Sequence, residues 1–200
     1  MAGVPVDADW QGRLDALPTT RTCAGCELCC TLMAVKELAK DPWRPCVHLA
    51  ADHGCAIWGA HPGSCKGFTC LWRRSDTLLP PGLFPADCGF MLAVDQIEAW
   101  PTVVKVCAET SRPRAWDQPA YRQIFQRLAA AWNCAVVVIE EGMRGVVAFA
   151  PGGRVYERGA DPEVFPADGR ELAVPAADYG PDRRPPADRI ARAAFRWDAP

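Results

Sequence analysis

The sequence predicts an α+β fold: a cysteine-rich module of loops and short helices packed on a small antiparallel sheet with one main helix. Three observations predict it. Eight of the eleven cysteines (Cys23, Cys26, Cys29, Cys30, Cys46, Cys55, Cys65 and Cys70) fall within residues 23–70, among loop-forming Pro and Gly. Beyond residue 84, apolar runs of strand length alternate with turn signals. Between those runs, one segment carries the spacing of an amphipathic helix. The chain divides on this basis into an N-terminal arm (1–20), a cysteine-cluster module (21–78), a β-β-α-β-β domain (84–160) and a Pro/Arg-rich tail (161–200).

Taken in order, residues 9–17 fit a short helix with Trp10, Leu14 and Leu17 on one face, ending at Pro18. Residues 31–40, TLMAVKELAK, fit strand or helix equally. Residues 40–62 read as loop, with Pro42, Pro45 and Gly54. Pro62 suits the first turn of a helix running to about Arg74, which would set Cys65 and Cys70 about 140° apart. After LLPPGLFPAD, the runs CGFMLAVD and IEAWPTVVKVCAE alternate as strands, with Cys88 opening the first and Pro101 marking an edge or bulge. The clearest helix follows, with Asp117 as N-cap and Pro119 in its first turn. Tyr121, Ile124, Phe125, Leu128 and Trp132 form its buried face. AVVVIEEG, GVVAFAPGG and RVYE complete the sheet, and Cys107 and Cys134 belong to its core. In the tail, ELAVPA reads as an edge strand, DYGPDRRPPADR as extended or disordered chain, and residues 189–197 as a short helix that docks on the body or on a protein partner.

The composition, 50% hydrophobic and 23% charged over 200 residues, suits one ordinary domain or two small ones sharing an interface. No apolar run reaches the roughly 18 residues of a membrane span. The first twenty residues carry three Asp and lack the apolar stretch of a signal peptide, so the expected location is cytoplasmic. A net charge of -2 argues against broad electrostatic capture of nucleic acid or anionic membrane.

The clustered thiols admit three chemistries. Disulfides need an oxidising compartment, and the four thiols of CAGCELCC are too close in sequence for good bridging geometry. Inert core cysteines do not recur every third residue among Gly, Glu and Ala. Metal ligation explains the recurrence, because an x2 spacer lets two thiolates converge from a tight turn in which Gly25 supplies the unusual backbone angles. The module is therefore expected to be metal-bound. Cys23, Cys26 and Cys29 have the spacing of a [4Fe–4S] ligand run that takes a fourth cysteine from elsewhere, with Cys46, Cys55, Cys65 and Cys70 all eligible. Zinc offers another partition, pairing Cys23 and Cys26 with Cys65 and Cys70. Cys29 and Cys30, expected to point in different directions, suit two centres better than one.

Two divalent ions on eight thiolates would leave about -4, and a four-thiolate cubane about -2. Lys36, Lys40, Arg44, Lys66, Arg73 and Arg74 are placed to offset either, as counter-charges rather than a nucleic-acid surface, since residues 1–80 hold eight basic and eight acidic side chains. His48, His53 and His61 could give a nitrogen ligand or a hydrogen bond to a thiolate. The sufficiency of sulfur favours ordinary polar loop residues instead. A nucleophilic pairing of His61 with Cys65 lacks an orienting third residue. Trp43, Trp58 and Trp72 border ligand positions, either excluding water or filling core.

CAGCELCC followed by RPCVHLAADHGCAIWGAHPGSCKGFTCLW resembles the CxxCxxCC cysteine-cluster proteins, the YkgJ family, described as a zinc- or iron-chelating domain. Cys23, Cys26, Cys29 and Cys30 match the opening motif and Cys46 the next cysteine. Cys55-Ala56-Ile57-Trp58 matches the C-x-I-Y element, His61 to Cys65 the R-P-x-x-C element, and Cys70 with Trp72 the close. Trp58 stands where Tyr is usual and His61 where Arg is usual, the latter removing a fixed charge. The resemblance covers residues 20–74. It implies a metal site, and a likeness to the metal-binding part of flagellin lysine N-methylases, in which an iron–sulfur cluster accompanies methyl transfer. No S-adenosylmethionine motif is present in this sequence.

Three functions follow. The first is a metal-binding protein coordinating zinc or an iron–sulfur centre, with a structural, storage or delivery role and the metal ion as partner. The second is an iron–sulfur enzyme or electron carrier related to protein N-methylases. The third is a zinc-finger adaptor. Eight cysteine ligands saturate two four-coordinate centres and leave no open position for substrate, which favours the first.

Overall fold

The computed structural model describes residues 16–23, 25–97, 100–142, 144–162, 164–165 and 174–179. Its framework is a five-stranded sheet in the order β1-β2-β3-β4-β5, formed by Phe90–Ile97, Trp100–Ala108, Ala135–Glu140, Arg144–Phe149 and Val155–Glu157. The expected β-β-α-β-β order holds and RVYE supplies the fifth strand. The all-antiparallel pairing does not. β2 runs parallel to β3, Val103 opposite Ala135 through Cys107 opposite Ile139, and the remaining neighbours are antiparallel. The cause is the connection: a helix between two adjacent strands returns the chain to the same end of the sheet, so the strands run the same way. Pro101 lies outside the register β2 shares with β3, where its missing N–H costs no ladder bond on that side.

The crossover helix, Pro119–Trp132, has Pro119 in its first turn as expected. Its N-cap is Gln118 rather than Asp117. The Asp117 carboxylate instead accepts from Arg122 at 2.6 Å and from Arg114, which holds it below the ordinary carboxylate range despite the opposing effect of burial. Asn133 closes the helix in the left-handed conformation, its N–H reaching the Ala129 carbonyl. Phe125, Leu128 and Trp132 are buried, and Tyr121 and Ile124 pack at the margin of the same core.

The sheet is buried on both faces, and its alternation sorts side chains between two cores. Phe90, Leu92, Val104, Val106, Val136, Val138, Val147 and Phe149 face the long helix. Met91, Val103, Cys107, Ala135, Val137, Ile139 and Ala148 face the other way, towards Leu28, Leu32 and Trp43 of the cysteine module. The uninterrupted AVVVIE of β3 is what two-sided burial requires. Cys107 and Cys134 lie in these cores as expected. Cys88 does not open a strand. It ends a short helix, Pro85–Cys88, and its thiol donates to the Gly82 carbonyl at 3.4 Å.

Gly89 makes the turn from that helix into β1 at φ +76°, and a β-carbon there would lie 2.9 Å from Nε of Arg112. Arg112 in turn donates to the carbonyls of Ala86 and Asp87 at 2.7 and 2.8 Å. Gly89→Ala is expected to destabilise the fold by about 1–2 kcal/mol from the left-handed backbone alone, with more from the displaced guanidinium. A shifted urea midpoint at unchanged slope would register it.

The helix expected over 62–74 is two. Gly63–Lys66 stops at Gly67, and Leu71–Arg74 starts after Cys70, whose backbone is extended (φ -63°, ψ 154°). The break frees Cys65 and Cys70 from the divergence a continuous helix would impose. Residues 31–40 resolve into the end of helix Leu28–Leu32 and a 3-10 turn, Lys36–Leu38. Residues 40–62 are turns and loops as expected, with one isolated bridge between Leu49 and Cys55. The N-terminal helix lies almost wholly outside the described residues, as do the 189–197 helix and most of DYGPDRRPPADR. Of ELAVPA, residues 171–173 also lie outside them, and the described half is not the expected strand: Val174 and Pro175 lead into a 3-10 turn, Ala176–Asp178. Among the described residues, no helix is long and apolar enough to cross a membrane.

Candidate metal centre

One cavity of about 400 Å³ is lined by Cys23, Cys26, Cys29, Cys30, Cys46, Cys55, Cys65 and Cys70 together. None of these eight is in a disulfide. Three stretches of chain bring them there, residues 23–30, 46–55 and 65–70, the second held by the bridge of Cys55 to Leu49. Cys23 and Cys26 flank a tight turn closed by the Cys26 N–H on the Cys23 carbonyl at 2.7 Å, with Gly25 at φ +72° as the spacing requires. Cys29 and Cys30 sit on helix Leu28–Leu32, and the Cys46 N–H donates to the Cys30 carbonyl at 3.1 Å. Cys65 and Cys70 belong to the broken helical segment. Cys29 and Cys30 line the same cavity, and interaction between their thiols holds the pKa of Cys30 below, and that of Cys29 above, the ordinary thiol value.

The remaining walls are largely apolar, with Leu28, Met33, Val35, Phe68 and Met91 among them. Burial pushes the Cys23, Cys26, Cys65 and Cys70 thiols up, Cys70 to about 11, because a thiolate loses water there without gaining a compensating charge. Among the described residues, no three His, Cys, Asp or Glu side chains are grouped as ligands of a single ion. The thiols ring a space rather than converge on a point.

Cations stand at two sides of the ring. Lys40 donates to the carbonyls of Thr31, Met33 and Asp41 and acts electrostatically on Cys46, Cys30, Cys29 and Cys65. Arg73 lines the cavity, its charge favouring the Cys23 thiolate, and its buried Nε has no hydrogen-bond partner among the described residues. Lys66 also lines it. Arg44 instead pairs with Glu141 at 3.5 Å, and Arg74 turns inward to the Thr69 carbonyl at 3.0 Å. Lys36 is exposed in the 3-10 turn.

His48 and His61 reach the lining. His61 Nδ1 accepts the Gly59 N–H at 3.1 Å and its ring stacks on Trp58. His53 lies 3.5 Å from Glu27 instead. Of the three tryptophans, only Trp58 lines the cavity, and at 72% exposed it shields little. Trp43 is core, donating from Nε1 to the Ala108 carbonyl at 2.7 Å, and Trp72 donates to Pro81 at 3.2 Å.

Four clamps not anticipated from the sequence hold the loops. Glu27, inside the CELCC motif, accepts the Gly54 N–H at 2.7 Å, and Glu37 accepts the Ser64 N–H and hydroxyl at 2.9 and 2.5 Å. Arg21 donates to the carbonyls of Trp72, Asp76 and Leu79 at 2.9, 3.1 and 2.7 Å, and lies over the Trp72 ring. Asp76 accepts the Thr20 N–H at 2.9 Å. Their only sequence signal is charge placed beside ligand positions. No protein-family model, no curated protein and no solved structure matches the chain.

Proposed function

We propose that this chain is a metal-binding protein that coordinates zinc or an iron–sulfur centre through Cys23, Cys26, Cys29, Cys30, Cys46, Cys55, Cys65 and Cys70, in a structural, storage or delivery role. The observation that carries the reading is that all eight line one cavity although up to 47 positions separate them. Membership of the CxxCxxCC cysteine-cluster family is part of the same proposal and rests on motif spacing. The residues suit such a group chemically. Soft sulfur donors select zinc and iron–sulfur centres, and the unpartnered Nε–H of Arg73 is a donor suited to charged sulfur. Bound metal supplies the positive charge that lets buried thiols ionise.

Anaerobic purification with analysis of metal and acid-labile sulfide tests the proposal. A coloured protein with sulfide selects the iron–sulfur centre. A colourless one with about two zinc ions selects zinc. A folded, reduced chain that contains neither metal and takes up neither ends the proposal.

The thiol shifts also fix a sign. With metal chelated away, the folded chain holds its Cys26 and Cys70 protons more tightly than the unfolded chain does. Stability of the stripped protein is therefore full at neutral pH and falls as pH rises past about 8.5, where unfolded thiols ionise. With metal bound the slope reverses, since each thiol that must be deprotonated weakens binding by about tenfold per unit of acidification. Melting temperature against pH for both forms is expected to show opposite slopes; equal slopes would exclude thiolate ligation.

A further inference from the structure

The cations of the cysteine module are held in different ways. Arg21 and Lys40 each donate to three carbonyls, Arg74 donates to Thr69, and Arg44 pairs with Glu141. Lys36 and Lys66 are exposed, so water solvates their ammonium groups even though Lys66 lines the cavity. Arg73 differs from all of these. It lines the cavity, its Nε is buried, and that Nε–H meets no acceptor among the described residues. Buried donors in this condition are rare in native proteins, because the hydrogen bond to water is lost and nothing replaces it.

The backbone accounts for its placement. Helix Leu71–Arg74 begins directly after Cys70, and the Arg73 N–H donates to the Cys70 carbonyl at 3.1 Å. Positions three apart share a helix face, and a helical side chain leans back over the preceding turn. Arg73 is thereby set on the Cys70 side of its turn, while Leu71 and Arg74 are buried and Trp72 donates from Nε1 to the Pro81 carbonyl. Among the described residues that line the cavity, no carboxylate faces this donor. His61 Nδ1 already accepts from Gly59, and the Ser64 hydroxyl donates to Glu37. Sulfur is the acceptor that the cavity offers in quantity, and as thiolate it carries the charge a guanidinium seeks.

Resting on the metal-site reading above, we infer that Arg73 is a positioning residue of the centre, its Nε–H donating to a metal-bound sulfur at the Cys70 end of the cavity. The bond orients that sulfur and draws off part of its charge. The sulfur becomes a poorer base, so protons and competing ligands displace metal less readily, and its electrons are lowered in energy. Both effects need a donor of fixed direction, which the planar guanidinium supplies and a freely rotating ammonium does not.

The test takes the full chain, purified anaerobically with the metal it carries or reloaded with Zn²⁺, and compares Arg73→Met, Arg73→Lys and Lys66→Met with the wild type. Two readouts are followed. One is the concentration of a competing chelator that removes half the metal. The other is the sulfur-to-metal charge-transfer absorption, of an iron–sulfur centre itself or of Co²⁺ put in place of zinc. Arg73→Met is expected to lose metal at about 10–100-fold lower chelator concentration. Its absorption is expected to move to longer wavelength, which a general loosening of the fold would not produce. Arg73→Lys, with the charge but without the Nε–H, is expected to recover little of either. Lys66→Met removes an equal charge that water screens, and is expected to match the wild type. Arg73→Met at wild-type values, full recovery in Arg73→Lys, or Lys66→Met shifted as far as Arg73→Met would overturn the donor role and leave metal binding standing. A wild type that neither carries nor takes up a thiophilic metal would instead overturn the metal site, and this inference with it. Should Arg73→Met not fold, Arg73→Lys against the wild type decides the matter by the same two readouts.

Discussion

If the module holds metal as proposed, Cys26→Ser is expected to cost the chain metal and the ordered cysteine module together, while Cys134→Ser is expected to leave metal content unchanged. Cys26 lines the cavity, packs against the sheet-side core, and shares a tight turn with Cys23. Cys134 is buried in the opposite core, beyond the sheet, among Phe125, Leu128 and Val136. Structural zinc in small thiolate sites carries apparent binding free energies of about 10–16 kcal/mol at neutral pH. The module has few large apolar side chains to replace such a contribution. Its buried hydrophobic side chains are Leu28, Leu32, Val35, Trp43, Leu71 and Leu78, and its helices span three to five residues each. Metal analysis and limited proteolysis across residues 23–74 check the result. Equal metal loss in both variants would mean that the division of thiols between cavity and core is wrong.

The second large effect lies on the other face of the sheet. Phe125 is fully buried at the centre of an aromatic stack, edge-on to Phe90 at 5.5 Å and to Phe149 at 5.6 Å. It joins the long helix to β1 and β4 at once. Phe125→Ala is expected to cost about 3–5 kcal/mol, the sum of lost transfer energy and the cavity left behind. Chemical denaturation measures it. Metal stoichiometry of the folded fraction should not change, because no residue of this stack lines the cavity. A variant that loses metal in proportion to Cys26→Ser would show that the two faces do not act separately.

What could be read from the sequence follows from how local each signal is. The strands, the long helix with its Phe125, Leu128 and Trp132 stripe, and the Gly25 turn are local, set by alternation, helical spacing and a positive φ. Parallel pairing of β2 and β3 is a relation between distant segments. Its signal, one helix inserted between neighbouring strands, was present, but the flanking hairpins suggested antiparallel pairing throughout. The broken helix before Arg74 had its cue in Gly67, outweighed by the favourable Pro62 start. Asp117 has the chemistry of an N-cap, yet two arginines that no local rule could place beside it took its carboxylate. For the candidate site, spacing picked out all eight cavity thiols, while the seating of Cys26, Cys29 and Cys70 against the sheet-side core emerges only with the sheet in place. Arg21 and Asp76 are 55 positions apart, beyond any pattern along the chain.

That last pair has a kinetic consequence. Because Arg21 and Asp76 fasten the root of the segment carrying every cavity cysteine, an ion bound there as proposed could leave without setting the two ends diffusing apart. The sulfurs stay at high effective concentration around one another, and the entropy of closing so long a loop is met by the fastening rather than by each returning ion. Recapture should then outpace escape unless an acceptor intervenes, so direct hand-over to another ligand, rather than release into water, is the exit this architecture favours.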